Sequence, residues 1–328
     1  MALTPYGDIS PRTAAYAQKE LLKRGIPHMN TELFGQGKPV PLRSSTQTKF
    51  RRYEALDNTP NAITEGVTPA SKSLTHTDIT ANLIQYGDRI ELSDIVIDTH
   101  EDPVLMEAVE ILGEQAAQMI EIIRFAVLKA GTNVFYANGV ARNAVNTKMT
   151  RALQRNVTRA MNRQNARTIT KRVASTPSYG TVNVKPSYIA LVHTDVETDI
   201  RDMQGFKAVE DYGSLQPYDN EIGAVENVRY LSSSLYVPYP DAGGLDGDVV
   251  LSSTGTNADV YPIVFLSADS YGIVPLKGKA AITPMIVNPK PCDSDPMGQR
   301  GHAAWKSMQT CVILNELWLA RAEVAVSV

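Results

Sequence analysis

The first hundred residues restrict the fold most, because they cannot supply a core of their own. Residues 1–45 contain one short helical pattern. Ser10-Pro11 provides a cap followed by proline at the first helical position. Ala14, Ala17, Leu21 and Leu22 form its apolar side, and Gly25 stops it. Pro27, Gly35, Gly37, Pro39 and Pro41 then punctuate the chain too densely for a folded unit. Residues 46–56 (TQTKFRRYEAL) read as a strand with charged outward positions. Residues 57–75 are turn-rich, and 76–97 are extended again, with Ile90 and Leu92 alternating beyond a Gly87-Asp88 break. The span 46–97 is therefore expected to be a long two-stranded excursion. A lone hairpin is marginal in water, so it needs a partner surface. Both the arm and the excursion should bury their apolar groups on neighbouring chains and touch the following helix little.

That helix is the clearest element. Asp102 is placed to cap it, Pro103 to open it and Gly131 to end it. Leu105, Ala108, Leu112, Ala116, Met119, Ile123 and Val127 recur at helical spacing over about 42 Å. A second helix is predicted from about Thr147 to Arg167, with Met149, Leu153, Val157 and Met161 as its apolar ridge. From Tyr188 the pattern mixes strands and short helices. YIALVHT and residues 226–238 and 259–275 read as strands, with a DAGGLDGD loop between the last two. TCVILNELWLARAEVAV reads as one long C-terminal strand.

Net charge is −3 over 328 residues, but the charges are partitioned. Asp88 to Glu121 holds ten acids and one base. Ile122 to Thr194 holds 12 Lys and Arg and no acid, and Asp195 to Glu226 holds nine acids and two bases. Arg151, Arg155, Arg159, Arg163 and Arg167 form one row on the second helix, and like charges at that spacing repel. Three counterparts fit: water, the acidic blocks of this chain or a neighbour, or a polyanion. Charge complementarity between protein surfaces leads, with Glu107, Glu110, Glu114 and Glu121 nearest in sequence. No aromatics interleave with residues 142–172, so base stacking is not indicated.

Catalytic chemistry is scarce. The five His (28, 76, 100, 193, 302) show no metal spacing, and no nucleophile elbow, phosphate loop or dinucleotide fingerprint occurs. His100-Glu101-Asp102 sits at a helix start, where acids are favoured by the dipole. The loop carrying Asp241, Asp246 and Asp248 lacks the spacing and the terminal Glu of a calcium loop. Cys292 and Cys311 form no CxxC pair and are read as packing residues in a chain folded under reducing conditions. No apolar run reaches the ~18 residues of a membrane span, and the N-terminus has no signal-peptide pattern. Of the 22 aromatics 14 are Tyr, a type suited to interfaces. No catalytic, metal or cofactor-binding residue is assigned.

Several stretches, in order, resemble the major capsid proteins of tailed bacteriophages. They are KPVPL (38–42), TKFRRYEAL (48–56), ITEGVTP (63–69), ANLIQYGDRIELSD (81–94), LGEQA (112–116) and AGTNVFYANG (130–139). NEIGAVENVRYL (220–231) and DPMGQRGHAAWK (295–306) follow. Their number and order carry the likeness. Within that family the chain looks like the podophage group whose virions carry their own RNA polymerase.

The resemblance implies an α+β, Hong Kong 97-type fold. Its parts would be an N-terminal arm (1–45), an extended hairpin or E-loop (46–100) and a peripheral domain with a spine helix (101–189). An axial domain (190–285) and return strands of the peripheral domain (286–328) would complete it. It implies a non-enzymatic shell protein that assembles into hexamers and pentamers around packaged double-stranded DNA. Virion residence follows, with assembly in the host bacterial cytoplasm. A portal, a separate scaffold protein and a possible decoration protein are the expected partners, with no membrane. Candidate assembly residues are Glu65, Gly66 and Val67 at the loop tip, the arginine row, and Glu107, Glu110 and Glu114. An encapsulin-type compartment of the same fold is the first alternative. A two-domain enzyme using His193 or His302 near Asp195 is the second.

Overall fold

A computed structural model of the chain describes residues 29–63, 65–66, 68–95, 104–173, 181–213, 216–247, 249–276, 282–289, 291 and 295–328. The expected helix at 11–25, the Asp102-Pro103 cap, His28, His100, Val67, Asp248 and Cys292 lie outside these residues.

Two long strands organise the molecule. The first, β14 (Arg300–Ile313), is the centre of a five-stranded sheet. Along one edge it pairs antiparallel with β4 (Ile84–Ser93), from Ser93 opposite Arg300 to Ile84 opposite Gln309. Along the other it pairs with β13 (Thr283–Val287) and then β12 (Tyr271–Pro275), whose outer side takes the short β1 (Gln36–Gly37). The helix α1 (Val104–Leu128) lies on this sheet. Ala108, Val109, Leu112, Ala116 and Ile120 bury against Ile282, Ala303 and Trp305, with Tyr86, Ile90 and Leu92 at the margin. Trp305 is fully buried there, and its indole N–H donates to Gln115 Oε1 at 3.4 Å.

The second, β7 (Thr181–Val192), runs through an eight-stranded sheet ordered β5-β15-β11-β7-β10-β9-β8. Its members are β5 (Val134–Tyr136), β8 (Phe206–Ala208), β9 (Glu221–Val225), β10 (Val228–Ser232), β11 (Tyr261–Leu266) and β15 (Leu319–Val324). The strand β6 (Ile169–Val173) pairs with the first half of β7. Alternation sorts the side chains. Tyr188, Ala190, Val192, Ile263 and Phe265 face α2 (Arg151–Arg163) and the short α3 (Glu197–Arg201), whereas Ile189, Leu191, Val264 and Leu266 meet Phe125 and Leu128 at the end of α1. Helical cover on both faces explains why β11 and residues 188–192 of β7 read as continuous apolar runs.

Four expectations need correction. First, the excursion ends at Asn82. Only β2 (Gln47–Tyr53) and β3 (His76–Asn82) form the hairpin, and residues 84–93 return to the main sheet under α1. Gly87 is no break: it pairs with Lys306, and a Cβ there would lie 2.7 Å from the Trp305 carbonyl oxygen. Second, residues 29–40 pack on their own subunit. Thr31 bonds to Glu121 of α1, Phe34 meets Tyr218 edge-on at 5.0 Å, and Val40 is buried.

Third, α2 is shorter than predicted. Thr150 Oγ1 caps it by accepting from Leu153 N at 3.3 Å, and Asn165 at φ 53° turns the chain out, so Arg167 leaves the row. Fourth, both long strand readings near the C-terminus split between sheets. Residues 259–275 yield β11 and β12 in different sheets. The chain also bends at Leu314–Trp318, where Asn315 Oδ1 accepts from Leu317 N at 3.2 Å, carrying β15 into the eight-stranded sheet. The expected 101–189 unit therefore gives α2 and β7 to the eight-stranded sheet, and the expected 190–285 unit gives β12 and β13 to the other.

Candidate assembly surfaces

The hairpin is anchored at its base and bare beyond it. Phe50, Ala81 and Leu83 join Val40, Val274 and Leu314 in a small cluster, which fixes the first half of the ladder to β12. Gly272 makes room for the Phe50 ring, since a Cβ there would lie 2.7 Å from it. Across the strands Arg51 Nε donates to Asp78 Oδ1 at 2.8 Å, and the guanidinium holds the Asp78 carboxyl down at about 2. From Tyr53 to Thr75 every described residue is exposed, including Leu56 at 53%, Leu74 at 67% and Ile63 at 77%. Glu65 and Gly66 are exposed at the tip. Gly66 has φ +80°, a conformation that side-chain-bearing residues resist.

The arginine row is only partly served by its own chain. Arg151 Nε and Arg155 Nε both donate to Glu226 Oε1, at 2.8 and 2.9 Å, so one carboxylate fills the first fork. The paired guanidinium groups lower the Glu226 carboxyl to about 2. Glu226 stands in the tight link between β9 and β10 with φ 56°, where the left-handed backbone turns its side chain onto α2. Arg159 and Arg163 have no ion-pair partner among the described residues. They line a shallow groove of about 450 Å³ with Arg155, Thr158 and Asn162.

The α1 acids are not the intramolecular counter-charges of this row, because α1 and α2 pack on different surfaces. Glu107 is exposed, Glu110 and Glu114 are half-buried, and Glu114 Oε1 accepts from Gln118 at 3.2 Å. Glu121 is fully buried. It accepts from Thr31 N at 3.1 Å, from Thr31 Oγ1 at 2.6 Å and from Tyr236 Oη at 2.8 Å, and burial raises its carboxyl above the usual range. Nothing in the local sequence flagged Glu226. Its place as the last acid of the third charge block was the one available signal.

The remaining candidates resolve into local structure. His193 Nδ1 accepts from Asp195 N at 3.2 Å and Tyr261 Oη donates to Asp195 Oδ2 at 2.7 Å, a capping arrangement at the end of β7. His302 lies in the other sheet, opposite Glu91. Asp241 accepts from Asn257 N at 2.9 Å and so closes its own loop. Cys311 is buried, with its thiol pushed up to about 12. Among the described residues no three metal-ligating side chains converge, and no helix is long and apolar enough to cross a membrane.

The molecule thus combines a sheet backed by one long helix, a second sheet beside it and a hairpin whose outer part has no core of its own. The chain belongs to the phage capsid protein family, whose model matches residues 77–287. The fold is similar to the capsid of Ralstonia phage GP4, with TM-score 0.67 and 12% identity over 89% of this chain and 87% of that one. The head of Helicobacter pylori bacteriophage KHP40 gives TM-score 0.60 and 12% identity over 88% and 87%. An encapsulin from Synechococcus elongatus PCC 7942 gives 0.54 and 9% over 94% and 89%. No curated protein matches the sequence. The fold is the Hong Kong 97 type, and the chain is a major capsid protein. It is a structural, self-associating component of the virion shell and not an enzyme.

Proposed function

We propose that this subunit builds hexamers and pentamers of an icosahedral shell around packaged double-stranded DNA, in a podophage whose virion carries its own RNA polymerase. The observation that carries the assembly reading is the hairpin: Leu56, Ile63 and Leu74 lie exposed on a segment with no core to cover them. A neighbouring subunit supplies that cover. The tip, with Glu65, Gly66 and Val67, then meets a second copy, as do the α1 acids Glu107, Glu110 and Glu114, and the exposed arginines take either an acidic surface of a second copy or the enclosed DNA. Arm, E-loop, peripheral and axial domains keep the roles that the family resemblance assigns them. A portal, a separate scaffold protein and a possible decoration protein complete the particle, which assembles in the host bacterial cytoplasm.

Electron microscopy of the purified chain tests this reading. Capsomers or icosahedral shells are expected, and particles from infected cells should hold DNA. A compact monomer that never assembles would overturn it. Particles filled with an enzyme cargo would favour the encapsulin alternative.

A further inference from the structure

We infer that the face of α2 beyond Arg155 is a contact for the phosphate backbone of nucleic acid, a reading that rests on the chain being a DNA-enclosing shell protein. The row divides at Arg155. Its first fork is closed by Glu226, whereas Arg159 and Arg163 have no acid among the described residues. Between them stands Asn162. Its Oδ1 accepts from Tyr188 Oη at 2.6 Å, which leaves the Nδ2 donors for the groove. The Thr158 hydroxyl donates to the Arg155 carbonyl at 3.2 Å. The groove therefore offers guanidinium and amide donors and no carboxylate.

The surroundings separate the two kinds of partner. The exposed residues of α2 and its exit turn are Arg155, Arg159, Arg163 and Arg167 with small or amide side chains between them. They include no acid, no aromatic and no large apolar side chain. Protein interfaces are centred on aromatic and apolar anchors, and this strip has none. Phosphate contacts draw on Arg, Asn, Gln and Thr, which this strip does supply. Without aromatics it has no means to stack bases, so the contact is independent of sequence.

The strip is also rigid. Leu153, Val157 and Met161 are buried, and Gln154 is locked by donating to the Val225 carbonyl at 2.9 Å while accepting from Tyr230 Oη at 2.8 Å. Successive arginines rise about 6 Å along the helix, a row that follows a charged strand better than it encloses one ion. The side of the eight-stranded sheet that carries α2 thus faces the packaged DNA.

The test measures binding of a short fluorescent duplex of mixed sequence to the unassembled full-length chain between about 50 and 200 mM salt. In R159Q/R163Q the slope of log affinity against log salt should fall by about 2, roughly one per arginine. R159K/R163K should retain it, and the distant pair R43Q/R89Q should leave it unchanged. Thermal unfolding and electron microscopy of the same proteins report fold and assembly. An unchanged slope in R159Q/R163Q overturns the inference. So does an equal loss in R43Q/R89Q, which would make the attraction diffuse. Lost assembly with an unchanged slope would assign the strip to an acidic surface of a second copy. If the double variant fails to fold, R163Q alone should lose about 1 from the slope, and no loss again overturns the proposal. Wild-type chain that binds DNA but never forms shells would refute the capsid reading and leave this contact standing.

Discussion

Thr31 and Glu121 meet across 90 residues of sequence: the Thr31 hydroxyl donates to Glu121 Oε2 at 2.6 Å, and the Thr31 amide donates to the same carboxylate. The bond ties residue 31 to the last third of α1. Tyr236 Oη, Tyr271 Oη, which bonds the Thr31 carbonyl, and Arg124, which bonds Gln309 at 2.7 Å, enclose the junction.

Glu121→Ala should therefore destabilise the subunit by about 2–5 kcal/mol, because Thr31 N–H and Tyr236 O–H would lose their buried acceptor. Urea midpoints of the unassembled chain measure this. Burial raises the folded Glu121 carboxyl above 4.5, so the native state holds that proton more readily than the unfolded chain does. Its contribution to stability is full below 4.5 and is lost as pH rises through the raised value. Glu121→Gln should flatten stability against pH in that window, and an unaltered profile would exclude Glu121 as the titrating group.

The Glu226 fork behaves in the opposite sense. With the carboxyl held at about 2, its stabilisation is present above 4.5 and fades as pH falls towards 2. Both groups are exposed, so a double-mutant cycle between Glu226→Gln and Arg155→Gln should give a coupling no larger than that of an ordinary surface ion pair. A coupling several times larger would mean that the fork is screened from water in the free subunit.

The hairpin tip should matter for assembly and not for folding. Glu65→Lys is expected to leave circular dichroism and thermal unfolding unchanged while reducing the yield of shells. Gly66→Val, at φ +80° with open space around it, disfavours the tip conformation locally and should likewise reduce the yield of shells. Shells formed at wild-type yield by both variants would remove the tip from the contact.

Trp305 is the principal weight beneath α1. Trp305→Ala should cost about 3–5 kcal/mol through the lost burial and the cavity left behind. Gly87→Val should also be costly, because its side chain would collide with the Trp305 backbone and part β4 from β14. Equilibrium unfolding of each variant provides the measurement, and a loss below about 1 kcal/mol in either would show that the sheet relaxes around the site.

The sequence alone determined what depends on local chemistry. The helix at 104–128 follows from apolar spacing and Gly131. The strand at 47–53 and the extended run after 76 follow from alternation. The exposed hairpin loop follows from turn residues, and the charge blocks are counted directly. Tertiary structure decided which of these pieces meet. Residues 84–93 look like the second leg of the excursion because alternation records a buried face but not the strand that pairs beside it. Residues 310–326 look continuous because the bend is marked only by the polar pair Asn315-Glu316, a step that a half-buried strand also carries, and needs one side-chain cap. The five-arginine row became four when Asn165 turned the chain, and its partner became Glu226, a residue 71 positions from Arg155. Such pairings lie far apart along the chain, and only the packing of α2 on the eight-stranded sheet brings the two charges within reach.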